Sequence, residues 1–280
     1  MAAAGLPHKL EPMHPLSLWQ ADARHKLVGV FTDIDDTLTT DGAITPDALE
    51  ALANLKNAGL HVIPITGRPV GWSQAFAATW PVDAIVAENG AVALQRGEPD
   101  GSAAASALHK RYQQDAPTRR ANFARMQAVV ARVLQEVAGA TLAQDSAGRE
   151  TDIAIDHSEF VDLPAQGIAQ AVQIMQSAGM NATVSSIHIN GWFGTHNKWE
   201  GARWIVKELF GRELGLEIDR WVYVGDSTND QRMFEAFPHC VGVANIRRFE
   251  AQLAHKPRYI TQAERGAGFA EVARAILAAR

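Results

Sequence analysis

The sequence predicts an α/β fold, in which a parallel sheet carries helices on both faces and a second, α+β unit is inserted. A short apolar run over residues 28–32 predicts a buried strand. A helical pattern with Thr45 as its N-cap follows over residues 45–59, and residues 61–66 form a second apolar run. A strand, a helix and a strand of this length predict a right-handed parallel crossover. Ligands of such sheets bind at the carboxyl ends of the strands, so functional residues are expected there.

The composition narrows the class of protein. The chain has 280 residues, a hydrophobic content of 47% and a charged content of 20%, which is typical of a folded protein of roughly two domains. Its formal net charge of −5 argues against nucleic acids and anionic membranes as partners. The single cysteine, Cys240, cannot form an intrachain disulfide, and no apolar run has the length of a signal peptide or a membrane span. These features predict a cytoplasmic protein with a loose leader over residues 1–25.

Carboxylates follow the first predicted strand directly. Asp33 and Asp35 are two residues apart, and alternate side chains of extended backbone share a face, so both could approach one ligand. Like charges held close together repel, which is costly unless a cation, a shared proton or a reaction uses them. Acids after a strand are also common as loop or helix-cap residues, and this pair alone does not decide between the two interpretations.

The turn after the second predicted strand has the sequence Thr66-Gly67-Arg68-Pro69. Gly67 permits close approach of the backbone to a ligand, and Pro69 can begin a helix whose first N–H groups would face an anion. A phosphate contact through Thr66 therefore has a mechanism, although an ordinary strand-to-helix turn explains the same residues. Arg68 could contact a substrate or an acid on the sheet surface.

Two further stretches carry charged residues at predicted element ends. A strand over residues 220–225 is followed by Asp226, a candidate metal ligand, by Asn229, a candidate phosphate contact, and by Asp230, which could cap the next helix. Lys198 stands in the first turn of a predicted helix. A lysine there opposes the helix dipole, which hints at an anionic partner, although exposed lysines at helix ends are common.

Residues 96–187 predict a separate α+β unit inserted between two parts of the core, residues 26–95 and 188–280. Within and just after it the predicted order is helix, strand, strand, helix, strand, strand, and residues 97–106 have the composition of a linker. The candidate residues of the core are suited to a phosphate and a cation, and they leave the rest of a ligand unrecognised. We therefore expect the insertion to choose the substrate. His188 and Asn190 could contact hydroxyl groups, although residue by residue a packing role explains them equally well.

Four stretches in order resemble the motifs of the haloacid dehalogenase-like superfamily of phosphohydrolases: DIDDTLT from Asp33, ITGR from Ile65, the lysine at 198 and GDSTND from Gly225. The resemblance covers the chain from about residue 27 to its end. It departs from the commonest pattern at Asp36 and Ser227, where glycine is frequent. It implies a Rossmann-like core with a type IIB cap that closes over the active site, as in the Cof-like and the sucrose-, trehalose- and mannosylglycerate-phosphate phosphatases.

The resemblance also implies a role for each matched residue. Asp33 would be the nucleophile and Asp35 the general acid and base, while Thr66 and Lys198 would hold the phosphoryl group. Mg²⁺ would be bound by Asp33, the backbone carbonyl of Asp35 and Asp226. The remaining candidates for phosphate or substrate binding are Gly67, Arg68, Asn229, His188 and Asn190, with Asn89 a weak one near the mouth of the site.

These observations predict a Mg²⁺-dependent phosphomonoesterase that acts on a sugar phosphate or a similar small metabolite through an aspartyl-phosphate. A phosphosugar mutase with the same fold is an alternative. A signalling receiver also groups acids, a hydroxyl and a lysine around Mg²⁺, but receivers are much shorter and lack the inserted unit. The sequence leaves the identity of the substrate and the oligomeric state open.

Overall fold

The computed structural model describes residues 12–97 and 107–280. The helices are α1 Ala21–His25, α2 Pro46–Asn57, α3 Val70–Thr79, α4 Ala116–Glu136, α5 Ala165–Ser177, α6 Lys198–Phe210, α7 Gln231–Ala236 and α8 Arg265–Leu277. The strands are β1 His14–Pro15, β2 Gly29–Thr32, β3 Thr39–Thr40, β4 Ala43–Ile44, β5 His61–Pro64, β6 Ile85–Ala87, β7 Val92–Arg96, β8 Leu108–Tyr112, β9 Thr141–Leu142, β10 Ile153–Asp156, β11 Asn181–Val184, β12 His188–Trp192, β13 Trp221–Gly225, β14 Cys240–Gly242 and β15 Tyr259–Ile260. Apart from Gly97, the predicted linker lies outside the described residues. Across the described ranges, none of these helices combines the length and apolar character that a bilayer crossing requires.

The main sheet has six parallel strands in the order β1-β15-β14-β13-β2-β5. β2 lies inside this sheet, because β13 pairs with one of its edges and β5 with the other. A parallel bridge from Ile65 to Val86 places β6 beside β5, and β6, β7 and β8 form a separate antiparallel sheet. The predicted parallel crossover and the α/β class are confirmed.

Both faces of the main sheet are buried under helices. Val30 of β2 belongs to one apolar cluster, which includes Leu52 of α2 and Phe269 of α8. The next residue, Phe31, points to the other face and packs with Ile205 of α6. This alternation explains why the strand is apolar at every position, since a strand covered on both faces has no side that faces water.

A second antiparallel sheet forms with the order β11-β12-β10-β9. Helices α4 and α5 contribute Met126, Val130 and Met175 to an apolar cluster with its strands. We call residues 116–192 the inserted unit. Its elements follow the predicted order, but its sheet extends past the predicted boundary at residue 187, because β12 is hydrogen-bonded to both β10 and β11.

The prediction of a loose leader is wrong for residues 12–25. β1 pairs with β15 at the edge of the main sheet, and the Trp19 ring, 1% exposed, stacks on Tyr259 at a centroid distance of 5.6 Å. A two-residue strand has no periodic pattern, so the sequence gives no sign of this pairing. Between β14 and β15 the chain forms 3₁₀ turns over Ala244–Gln252.

Helix α6 touches the turn after β6 through two glycines. A Cβ atom on Gly201 would lie 2.5 Å from the Cα atom of Gly90, and one on Gly90 would lie 2.4 Å from the carbonyl oxygen of Asn197. Contacts this short are closer than a side chain permits. The two glycines therefore set the position of α6, whose first residue is Lys198.

Gly201→Ala is expected to destabilise the protein by about 1–3 kcal/mol, because the new methyl group must push α6 away from the backbone at Gly90. An alanine inside a helix ordinarily stabilises it relative to glycine by roughly 0.5–1 kcal/mol, so the sign of the effect is diagnostic. Urea unfolding measures the difference. Gly215→Ala is the matched control, because nothing lies within 4 Å of a Cβ atom at Gly215. A more stable Gly201→Ala protein would contradict the close approach.

Candidate active site

Three buried carboxylates meet at the carboxyl edge of the main sheet. Asp33 follows β2, Asp226 follows β13, and Asp230 lies four residues further on. β2 and β13 are parallel neighbours in which Thr32 pairs with Val224, so the residues that follow each strand come together. One oxygen from each of the three carboxylates lies within 4.8 Å of the others. The sequence places Asp33 and Asp226 at this edge, and the fold adds Asp230.

Lys198 compensates part of this negative charge. Its Nζ donates to Asp33 Oδ1 at 2.8 Å and to Asp230 Oδ1 at 2.7 Å, and the residue is only 3% exposed. Burial alone would lower the pKa of Lys198, but the charges of Asp230 and Asp33 raise it above its ordinary value, so the side chain stays protonated. Asn197 is the N-cap of α6, and its side chain accepts from the N–H of Glu200. Lys198 is thus an internal residue and not a surface lysine at a helix end.

The three acids remain short of positive charge. Burial raises the pKa of Asp33 to about 7, with Lys198 opposing this rise and Asp230 adding to it. Burial, followed by the charges of Asp230 and Asp33, raises the pKa of Asp226 well above its ordinary value. Asp226 Oδ1 is buried without a hydrogen-bond partner among the described residues. Hard oxygen ligands with uncompensated charge fit Mg²⁺, so Asp33 and Asp226, with Asp230 beside them, suit the cation that the sequence predicts.

Asp35 lies in a different environment. Its carboxylate accepts from Arg68 Nε at 2.9 and 3.1 Å, and its side chain is 14% exposed. Burial raises the pKa of Asp35, and the neighbouring Arg68 charge opposes the rise. The carboxyl group of Asp35 is held by Arg68, and the role of its backbone carbonyl as a metal ligand stays a prediction. Of the two roles that the sequence left open for Arg68, contact with an acid is the one observed.

The turn between β5 and α3 contains Arg68 and contacts the inserted unit. Thr66 is fully buried, and its Oγ1 accepts from the backbone N–H of Arg68 at 3.0 Å. The carbonyl of Gly67 accepts from Asn190 Nδ2 at 3.3 Å and from Arg149 Nη1 at 2.9 Å, so this turn lies directly under the inserted unit. A side chain at residue 67 would come within 3.2 Å of Asn190 Oδ1. Gly67 therefore permits the close approach of the two parts of the chain.

The predicted substrate contacts on β12 have protein partners in this structure. Asn190 is 1% exposed and also donates to Asp152 Oδ2 at 3.2 Å. His188 Nε2 lies 2.7 Å from Glu159 Oε2, and the indole N–H of Trp192 donates to the carbonyl of His196. These contacts are those of packed, satisfied side chains, so a substrate would have to share them.

An open cavity of about 300 Å³ adjoins Lys198, the partner of Asp33 and Asp230. Lys198, Asn89 and Asn229 line it from the main part, and Asn181 and Thr183 line it from the inserted unit. A larger groove of about 780 Å³ near Cys240 has neither Lys198 nor the clustered acids in its lining. The smaller cavity is therefore the one beside the candidate site, because Lys198 lies in its wall.

Two supporting residues were not predicted from the sequence. Asn245 Nδ2 donates to Asp226 Oδ2 at 3.1 Å and to the carbonyl of Asp36 at 3.0 Å, so it links the two acidic loops. The hydroxyl of Tyr223 donates to Asp230 Oδ1. Asn245 follows β14 at the same carboxyl edge, and this position was the available signal. Tyr223 lies inside an apolar strand, where the sequence gives no indication of a polar contact.

The two departures from the family pattern have local explanations. Asp36 has a φ of 53°, the left-handed region in which glycine is common and aspartate is tolerated. Ser227 has extended backbone with a φ of −143°, so glycine is not required there. Ser227 and Asp230 form a reciprocal capping box, in which each side chain accepts from the backbone N–H of the other. Asp230 thus both caps this turn and binds Lys198.

Known proteins resemble the chain over most of its length. The family model of the haloacid dehalogenase-like hydrolases matches residues 30–110. A phosphoglycolate phosphatase from Methanothermobacter thermautotrophicus is 24% identical over 250 residues, which are 88% of this chain and 96% of that protein. The sucrose-phosphatase from Synechocystis has 16% sequence identity and a TM-score of 0.62, covering 90% of this chain and 98% of its own. A HAD/COF-like hydrolase from Plasmodium vivax has 13% identity and a TM-score of 0.66, covering 93% and 100%.

The fold and the site together define a class. A parallel α/β sheet with carboxylates and a buried lysine at its carboxyl edge is suited to an anionic ligand and a divalent cation. The solved structures share this fold. The family model matches residues 30–110, which contain the first strands of the sheet and the motifs that follow them. Over residues 30–110 the chain matches the haloacid dehalogenase-like hydrolases, so the resemblance that the four motifs predict is confirmed there.

Proposed function

We propose that the protein is a Mg²⁺-dependent phosphomonoesterase that acts on a sugar phosphate or a similar small metabolite through an aspartyl-phosphate. The observation that carries this proposal is the contact of Lys198 Nζ with Asp33 Oδ1 inside the buried cluster of Asp33, Asp226 and Asp230. A carboxylate nucleophile, a fixed cation and a set of metal-ligating oxygens are the groups that phosphoryl transfer needs. The phosphatase named among the relatives supports the same reaction class.

The first half-reaction would transfer the phosphoryl group to the enzyme. A carboxylate oxygen of Asp33 attacks phosphorus, and the bond from phosphorus to the ester oxygen breaks as Asp35 gives its proton to that oxygen. Lys198 holds the phosphoryl oxygens, and Thr66 lies in the turn at the same edge. When bound, Mg²⁺ would offset the charge of the carboxylates and of the transferring group.

The second half-reaction would release phosphate. Asp35, now ionised, accepts a proton from water as the water oxygen attacks phosphorus, and the bond to Asp33 breaks. Asp33 returns as a carboxylate and Asp35 as a carboxylic acid, so one residue is the acid in the first step and the base in the second. The raised pKa of Asp35 favours this exchange, because a carboxyl group with an ordinary pKa would rarely hold its proton at neutral pH.

The choice of a sugar phosphate rests on the cavity beside Lys198. Its lining contains the neutral hydrogen-bonding groups of Asn89, Asn181 and Thr183 together with Trp192, and these suit a polyhydroxylated leaving group. The sucrose-phosphatase among the structural relatives is recorded in complex with sucrose and phosphate. In this proposal the inserted unit selects the substrate, the remaining chain carries out the chemistry, and the protein works in the cytoplasm.

A substrate panel tests the proposal. Purified protein with Mg²⁺ is incubated with hexose, disaccharide and glycerate phosphates and with phosphoglycolate, and both free phosphate and isomeric products are measured. We expect release of free phosphate, fastest from a phosphosugar. An isomeric phosphate without free phosphate would support the mutase alternative. A stable aspartyl-phosphate with no turnover of any ester would support the signalling alternative.

A further inference from the structure

Arg68 has a carboxylate partner at each of its three guanidinium nitrogens. Nε donates to Asp35, Nη1 donates to Asp145 at 3.1 Å, and Nη2 donates to Glu159 at 2.8 Å. Asp35 belongs to the loop after β2, whereas Asp145 and Glu159 belong to the inserted unit. The Arg68 residue is 6% exposed, so these contacts form largely away from water. One side chain of the sheet edge thus joins Asp35 to the unit above it.

The neighbours of Arg68 hold its side chain in one orientation. The guanidinium carbon lies 5.0 Å from the centroid of the Trp72 ring, and the residue's backbone N–H donates to Thr66 Oγ1. Glu159 is held in turn by His188 Nε2 at 2.7 Å. A guanidinium is planar, and its donors form a rigid fork. The two carboxylates on its outer edge therefore set the direction in which Nε points at Asp35.

The charges in this group are not arranged for stability alone. Three carboxylates surround one guanidinium, and burying them together is costly. A hydrophobic contact between the two parts of the chain would hold them together without this cost. The arrangement is instead suited to holding one carboxyl group, that of Asp35, in one orientation.

We propose that Arg68 is a positioning residue, which aims the Asp35 carboxyl group at the leaving oxygen, and that Asp145 and Glu159 of the inserted unit keep Arg68 in place. The inference rests on the proposed function, because it needs Asp35 as the proton donor. Proton transfer depends on orientation, and a displacement of about 1 Å can cost about 100-fold in rate. The inserted unit would thereby control the acid of the reaction as well as the choice of substrate.

The leaving group reports on this role. An alkoxide needs the proton of Asp35 as its bond to phosphorus breaks, whereas p-nitrophenolate is stable enough to leave without it. The ratio kcat/KM covers only the steps up to release of the alcohol, so it isolates the acid step from the later hydrolysis. A loss of orientation at Asp35 should therefore affect an alkyl phosphate much more than p-nitrophenyl phosphate.

The experiment compares Arg68→Lys and Glu159→Gln with the wild-type protein, in the presence of Mg²⁺. The probes are p-nitrophenyl phosphate and the alkyl phosphate that the substrate panel shows to be hydrolysed fastest. Arg68→Lys keeps the charge but loses the fork, and kcat/KM for the alkyl ester is expected to fall about 100-fold, against less than about 5-fold for the aryl ester. In Glu159→Gln, kcat/KM is expected to fall about 10-fold for the alkyl ester and less than about 2-fold for the aryl ester.

Glu150→Gln is the matched control. Glu150 also lies in the inserted unit and binds outside it, to Lys110 at 2.6 Å and Tyr112 at 2.6 Å, without contacting Arg68 or Asp35. Both esters should be hydrolysed by this variant at close to the wild-type kcat/KM. Thermal unfolding of each variant verifies that the protein is folded, and Glu159→Gln keeps the test valid where Arg68→Lys does not fold.

Equal losses on the two esters in a folded variant would overturn the inference, because they would mean that Arg68 only docks the inserted unit or binds phosphate. Unchanged kcat/KM in both folded variants would overturn it as well. Wild-type protein that hydrolyses neither ester would contradict the proposed function, and with it the role of Arg68. An active wild type with equal losses contradicts the role of Arg68 alone.

Discussion

Asp33→Asn is expected to abolish hydrolysis of every phosphate ester and to leave the protein folded. The amide is close in shape to the carboxylate but is not a nucleophile toward phosphorus, so kcat should fall by at least about 10³-fold, as removal of a covalent nucleophile does in other enzymes. Lys198 keeps Asp230 as a partner at 2.7 Å, so its charge stays paired. Phosphate release under saturating substrate and Mg²⁺ measures the effect, and circular dichroism verifies the fold.

Asp41→Asn is the matched control for this variant. Asp41 lies eight residues further along the chain, its side chain is 84% exposed, and it binds Arg265 at 2.9 Å outside the acidic cluster. Its φ of 51° is a conformation that asparagine tolerates. The control should keep wild-type activity. Near-normal turnover by Asp33→Asn would rule out the covalent mechanism, and activity would then have to come from direct attack by water.

Asp226→Ala is expected to raise the Mg²⁺ concentration needed for half-maximal activity by at least about 100-fold. Even the partners that only orient metal ligands contribute 10–100-fold to affinity, and the orphaned Asp226 Oδ1 points to a direct ligand. EDTA should abolish the activity of the wild type, and added Mg²⁺ should restore it. Titration of activity with Mg²⁺ in both proteins measures the shift.

A second readout does not depend on turnover. A cation that binds only the folded state raises the midpoint of thermal unfolding in proportion to its occupancy. Mg²⁺ should therefore stabilise the wild type and have little effect on Asp226→Ala. Asp219→Ala is the control, because Asp219 is an exposed acid just before the amino end of the same strand, β13. Activity that resists EDTA, or equal stabilisation of all three proteins by Mg²⁺, would contradict the metal site.

Local pattern was enough to predict the fold and the ends of its central strands. The apolar run before Asp33, the helix from Thr45 and the run before Asp226 each have a length and composition that favour one element. Parallel strands align their carboxyl ends, so the prediction that Asp33 and Asp226 share one edge follows from the class of fold. The order of the four motifs predicted that Lys198 belongs to the same site, and its role stays a prediction.

The sequence by itself thus determined the α/β class, the resemblance to the haloacid dehalogenase-like hydrolases and the acids at the strand ends, because these depend on periodicity and on residues close together in the chain. Only the tertiary structure decided that Arg68 binds Asp145 and Glu159, which lie 77 and 91 residues away from it. The same holds for Asn245, which reaches Asp36 across 209 residues, and for the packing of residues 12–25 on β15. Contacts between distant residues leave no periodic pattern in the chain, since each partner alone has the composition of an ordinary loop or turn.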